Sequence, residues 1–227
     1  MTKWLMMHEQ GAVVQRVFGR VIALANQHRM VIVVLATFLV SALILPTLSP
    51  IATTDDWGYT RSVETLYHEG QLAVFPVFPV VAATAVFQVV WGWGFALLFG
   101  MTVGVMRVST LAMVCLGAVA LYGLLHELKV DWHRSALGVV AYLFNPLSFV
   151  LAYTFMTDPH FTSLLIIATF FYVRGLRVDG IGWRATIIGS GVAALAFLVR
   201  QQGALIPFAA VVYLLATRQL RPNRAGA

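Results

Sequence analysis

From Met30 to Leu48 the chain runs for nineteen residues without a charge. At about 1.5 Å of helical rise per residue, that run matches the roughly 30 Å hydrocarbon core of a bilayer. Further uncharged or nearly uncharged stretches follow: 72–106, Met106–Leu125, Ser135–Tyr153, one to about Val173, one to Val199 and the shorter Ala204–Thr217. The chain is 60% hydrophobic and only 11% charged, too little polar surface for a water-soluble domain. Long apolar runs, rather than alternating segments of about ten residues, predict helices and not a barrel. The expected fold class is therefore all-α, a polytopic helical membrane protein.

Charge placement sets the expected topology. The stretch 72–104 is broken by Pro76, Pro79, Gly92, Gly94, Gly100 and Gly104. Treated as an interfacial or re-entrant segment that does not cross, it leaves twelve of the fifteen Lys and Arg residues on the side of the N-terminus, and only Arg61, Arg107 and Arg200 opposite. Treated as a crossing, it would put Arg174, Arg177 and Arg184 beside Arg61. The positive-inside rule favours the first arrangement: about six transmembrane helices with both termini cytoplasmic. The expected organisation is a cytoplasmic tail and interfacial helix over 1–29, one transmembrane domain over 30–217 with outer-face loops 49–104 and 154–160, and a basic cytoplasmic tail over 218–227. Residues 1–29 lack the short apolar core and cleavage site of a signal peptide, so the first span is expected to stay as an anchor in the plasma membrane. The net charge of +6 does not indicate nucleic acid, because the basic residues flank apolar runs instead of lining one face. Cys115, the single cysteine, lies within an apolar run and reads as an inert thiol.

One polar island interrupts this pattern. Residues 53–70 read TTDDWGYTRSVETLYHEG. Thr53 or Thr54 can cap a helix whose first turn carries Asp55 and Asp56, where negative charge is favoured. Tyr59, Val63, Leu66 and Tyr67 form an apolar stripe, and Gly70 is a C-terminal stop. The segment predicts a short amphipathic helix at the outer surface.

The expected topology gathers this island, the Met156–His160 turn and Arg200–Gln202 on the outer face. Asp158 lies between apolar stretches, where an ionised group pairs, binds a ligand or lines water. It can equally cap a helix beginning at Pro159. A carboxylate can accept a proton from an attacking hydroxyl, and a guanidinium matches phosphate. That suits Asp55, Asp56 and Asp158 to catalysis and Arg61, Arg107, Arg200 and Gln201 to a donor phosphate. Asp55, Asp158 and His160 are also candidate ligands of a divalent metal ion.

In its order of features the chain resembles the GT-C class of polytopic glycosyltransferases that use polyprenyl-phosphate sugars, in the branch of protein O-mannosyltransferases and aminoarabinose transferases. The resemblance is carried by the acidic island after the first span, QLAVFPVFPV, FGMTVGVMRVSTLAMVCLGAVALYGL and NPLSFVLAYTFMTDPHF, over residues 25–217. It implies an inverting enzyme acting on the outer face, with a lipid-linked sugar as donor and a hydroxyl or phosphate acceptor. It places the general base at Asp55, with Asp56 beside it, and the second-loop acid at Asp158, which orients the acceptor or shares the metal. Family members are longer, so the chain is expected to correspond to their N-terminal portion, with a second chain as a candidate source of further helices. Two other readings stand beside this one: a non-catalytic membrane subunit with the same fold, and a small transporter whose outer carboxylates bind a cation.

Overall fold

The computed structural model describes residues 28–45, 51–52, 55–75, 84–176 and 181–217. The expected interfacial helix within 1–29, the Thr53 and Thr54 caps, Pro76, Pro79 and the tail 218–227 lie outside them. The described residues form nine α-helices and no strand: α1 Arg29–Ile44, α2 Asp56–Glu69, α3 Val86–Phe99, α4 Val103–Glu127, α5 Trp132–Leu143, α6 Pro146–Ala152, α7 Thr157–Gly175, α8 Trp183–Phe197 and α9 Leu205–Ala216. A single 3-10 turn, Gln201–Ala204, joins α8 to α9.

Helix ends follow local chemistry. Thr102 caps α4 by accepting from the Val105 amide, and Asp131 caps α5 by accepting from His133 and Arg134. Gly70 closes α2 at φ 69°, the left-handed conformation a side chain disfavours. The sequence predicts one span over Ser135–Tyr153, but the structure divides it. Pro146 brings no amide hydrogen and Asn145 caps the new helix through Leu147 and Ser148, so α5 and α6 meet at a 65° bend.

The bundle is built on α4, α7 and α8. Gly117 brings α4 against α7, where an added Cβ would lie 2.8 Å from Ser163. Further along the same parallel pair, Gly123 meets Phe170, and Glu127 pairs with Arg174 at 3.8 Å. The α7–α8 turn is equally close, with the Gly182 amide donating to the Gly175 carbonyl at 2.7 Å. α1 runs antiparallel to α4, from His28 beside Tyr122 to Ser41 beside Tyr153. Phe38 sits in the aromatic cluster of Phe144, Phe149 and Tyr153.

α2 and α3 stay at one end. The Ala85 and Phe87 amides donate to the Val199 and Leu198 carbonyls, and Gln88 donates to the Phe155 carbonyl. α3 then packs between α2 and the first turns of α4, with Gly92 against Val63, Phe155 and Met106 and the Trp91 indole on the Ser109 carbonyl. The described part of 72–104 therefore sits where α4 and α7 begin and α8 ends. The remaining helices pack alongside α4, α7 and α8, with α5 and α6 joined at their bend.

Many outward side chains are apolar, among them Leu43, Leu98, Leu137, Ile187 and Phe208. Among the described residues, α4 alone is both long and apolar enough to cross a membrane, or two passages qualify if the bent α5–α6 pair counts as one. α1, α3, α8 and the Gln201–Ala216 segment are apolar but shorter. The expected six crossings are thus not reached by helix length.

The α4–α7 contact yields a stability prediction. Gly117→Ala must displace Ser163 and is expected to lose about 1–3 kcal/mol. Gly94→Ala, with nothing within 4 Å of the new Cβ, should be neutral or gain up to about 1 kcal/mol. Thermal unfolding in detergent distinguishes them.

Candidate active site

Adjacent helical residues project about 100° apart, so two neighbouring acids cannot share one environment. Asp56 points inward. Its carboxylate is fully buried and meets Arg107 Nη2 at 3.3 Å, and Arg107 also donates to the Ile51 carbonyl at 2.7 Å. Arg107 is likewise almost entirely buried, so the pair ties the start of α2 to the first turns of α4. Asp55 occupies the N-cap position of α2. It is half-buried, and its carboxylate caps no amide.

Across from α2 stand the start of α7 and the end of α8. Gly203 folds the 3-10 turn onto the α8 terminus so closely that an added Cβ would lie 2.3 Å from the Phe197 nitrogen. That turn leaves Arg200 extended towards α7. Its Nε and Nη2 donate to Thr157 Oγ1 at 3.0 and 2.7 Å, and Nη2 also donates to Asp158 Oδ2 at 2.7 Å. Asp158 does not cap the helix, which begins two residues before Pro159 with Met156 at its N-cap. The Arg200 pairing claims its carboxylate instead. Gln201 is exposed next to Arg200.

Tyr59, one turn after Asp55, closes the gap between the two groups. Thr157, Arg200, Asp55 and Asp158 are the groups nearest in effect to its hydroxyl. Burial pushes the phenol above its ordinary value, against the lowering influence of Thr157 and Arg200, so Tyr59 remains protonated near neutrality. A cavity of about 130 Å³ adjoins Asp158, lined also by Tyr142, Ser148 and Thr162.

The structure thus gathers Asp55, Asp158, Arg200 and Gln201 at one end, with Asp56 and Arg107 buried at the base of α2. Arg61 stands apart on the exposed side of α2, paired with Glu64 at 2.7 Å. His160 is fully buried, its Nδ1 3.1 Å from the Met156 carbonyl and its ring edge-on to Phe155. The described residues contain no cluster of three or more His, Cys, Asp or Glu side chains able to hold a metal. His160 is turned into the core, so Asp55, Asp158 and His160 do not form such a cluster. Sequence reasoning missed Tyr59 and Thr157. Tyr59 was hidden in the apolar stripe of α2, although its position four residues after Asp55 places both on one helical face.

The family model for dolichyl-phosphate-mannose-protein mannosyltransferase matches residues 84–225. That is more than half of the chain, which therefore belongs to this family of membrane glycosyltransferases. The match spans α3 to α9, including Arg107, Asp158 and Arg200, and begins after α2. No curated protein and no solved structure matches the chain.

The unequal settings of the two acids predict unequal costs. Asp56→Asn leaves Arg107 buried without its counter-charge and should destabilise the fold by about 3–5 kcal/mol. Asp55→Asn should remain within about 0.5 kcal/mol of the parent. Thermal melts of both variants in detergent test the difference.

Proposed function

We propose, from membership of this family, that the chain moves a sugar from a polyprenyl-phosphate carrier to a hydroxyl or phosphate acceptor, with inversion, using Asp55 as general base. The observation that carries this reading is the sorting of three carboxylates by their partners. Asp56 is held by Arg107 and Asp158 by Arg200, whereas the Asp55 carboxylate neither caps its helix nor forms a described ion pair. Of the three it is the acid with no described arginine partner, so both its oxygens remain available to a substrate proton.

In the proposed reaction the acceptor oxygen attacks the sugar C1 from the face opposite the phosphate. Its proton passes to Asp55. The C1–oxygen bond to phosphate breaks, the electron pair leaves with the phosphate, and one displacement inverts the centre. Arg200, half-exposed and fixed on Thr157 and Asp158, places positive charge where the departing phosphate gains negative charge. Gln201 follows it at the same edge. Asp158 orients the acceptor, whose reactive group enters the adjoining cavity.

The setting proposed is the outer face of the cytoplasmic membrane, with six passages, both termini cytoplasmic and the site at the outer end. Two features support it: the apolar outward faces, and the concentration of Lys129, Arg134, Arg174 and Arg184 at the end away from the site. An apolar groove of about 550 Å³ between α7 and α9, lined by Leu165, Tyr172, Leu176, Ile206 and Tyr213, suits a prenyl tail. α9 has no fully buried residue, which leaves a flank for further helices of a second chain.

The test uses purified protein in nanodiscs with a synthetic polyprenyl-phosphate sugar. Asp55→Asn should reduce transfer by about 10²–10⁴-fold, the usual worth of general-base catalysis. Arg61→Gln, altered on the far side of α2, should retain the parental rate. Full transfer by Asp55→Asn contradicts the assignment.

A further inference from the structure

The apolar groove between α7 and α9 has two ends. Both helices start at the site end, because Thr157 stands beside Arg200 and α9 follows the turn after Arg200. The groove runs from Leu165 and Leu205 to Val173, Leu176 and Tyr213, where Leu128 at the end of α4 also lines it. That far end carries charge. Lys129 follows Leu128, Arg174 follows Val173, and both are exposed. The Arg174 guanidinium lies over the Phe170 ring at 6.0 Å and reaches Glu127 only at 3.8 Å. Arg184, exposed in the first turn of α8, is brought to the same end by the contact of Gly182 with Gly175. Asp131 is engaged by Arg134 at 3.2 Å and by the two amides it caps.

Lys129 also has an unusual backbone. Its amide donates to the His126 carbonyl and the Val130 amide donates to the Leu125 carbonyl, the paired bonds of a helix end whose left-handed residue is usually glycine. Here that residue, at φ 64°, is a lysine. A long cation stands where glycine would be unstrained.

We propose that this end of the groove binds an anionic phospholipid from the leaflet opposite the candidate active site. Its phosphate meets Lys129 and Arg174, and an acyl chain lies along Leu128, Val173 and Leu176. The guanidinium matches the phosphate in shape, and the ammonium adds a point charge. An apolar trough with a positive mouth matches an amphiphile with an anionic head, whereas a soluble anion or a neutral lipid satisfies only one part. The site needs the membrane setting of the family but not the transfer reaction.

Native mass spectrometry of the detergent-purified chain tests this by titration with phosphatidylglycerol or phosphatidylcholine of the same acyl chains. Phosphatidylglycerol should bind about tenfold tighter or more. Lys129→Gln and Arg174→Gln should each weaken it by about fivefold, the worth of one cation near an anionic lipid, and leave phosphatidylcholine unchanged. Glu127→Gln, which frees Arg174, should strengthen phosphatidylglycerol binding by a similar factor, a gain that loss of folding cannot produce. Ala209→Phe, on the exposed α9 side of the groove, should weaken binding with both cations intact. Glycerol 3-phosphate, the head without chains, should not displace the lipid. Equal binding of the two lipids, or phosphatidylglycerol binding unchanged by Lys129→Gln and Arg174→Gln, overturns the proposal. Binding that follows the cations but ignores Ala209→Phe, or that glycerol 3-phosphate displaces, places the lipid outside the groove and overturns it as well.

Discussion

The buried pair of Asp56 and Arg107 fixes the geometry on which the rest of the site depends. A 14-residue helix on the end of a bundle has few ways to define its rotation about its own axis. Apolar contact alone, through Val63 and the Tyr59 ring, tolerates sliding and turning. A carboxylate and a guanidinium withdrawn from water do not, because separation leaves both charges desolvated. Their contact sets the rotation of α2, and that rotation directs Asp55 and Tyr59 towards α7. The role of the pair is orientation more than net stability, since the desolvation of two ions offsets much of their attraction.

The opposite wall uses another device. Arg200 follows the end of α8 and is carried to α7 by a turn that only Gly203 can pack so closely. The starts of α2 and α7 face this same end, and helix N-termini favour anions through their unpaired amides. A lipid phosphate would meet a partly positive environment before it met any one side chain. The three acids are treated separately: Asp56 and Asp158 are balanced by arginines, and Asp55 forms no described ion pair.

Much of this was legible in the sequence. The uncharged runs give all-α structure because an apolar backbone must satisfy its own hydrogen bonds. Gly70 ends α2 where its conformational freedom requires, and the Pro/Gly-rich 72–104 segment stays at one end over its described part. The break at Asn145–Pro146 was visible as residues but was overruled by the apolar run around it. Asp158 shows why the remainder was not legible. Spacing made it equally a cap and a site residue, and only the folded position of Arg200, more than forty residues later, shows that its carboxylate pairs instead of capping. Tyr59 was concealed by its own chemistry, since a phenol satisfies an apolar stripe and still presents a hydroxyl at its far end. His160 shows the converse: a plausible ligand by type, it turns into the core because its Nδ1 finds a carbonyl one turn earlier.

The central claim is that the head of α2 and the start of α7 face one another across a single site. Intramolecular cross-linking in native membranes tests it most directly. In a chain with Cys115 replaced by alanine, cysteines at positions 55 and 158 would be treated with a short bifunctional maleimide, alongside a control pair at 61 and 158. The account predicts efficient linkage of 55 to 158, read by intact mass, and little linkage of 61 to 158. Equal yields for the two pairs, or none for 55 and 158 while each cysteine reacts singly, would contradict it.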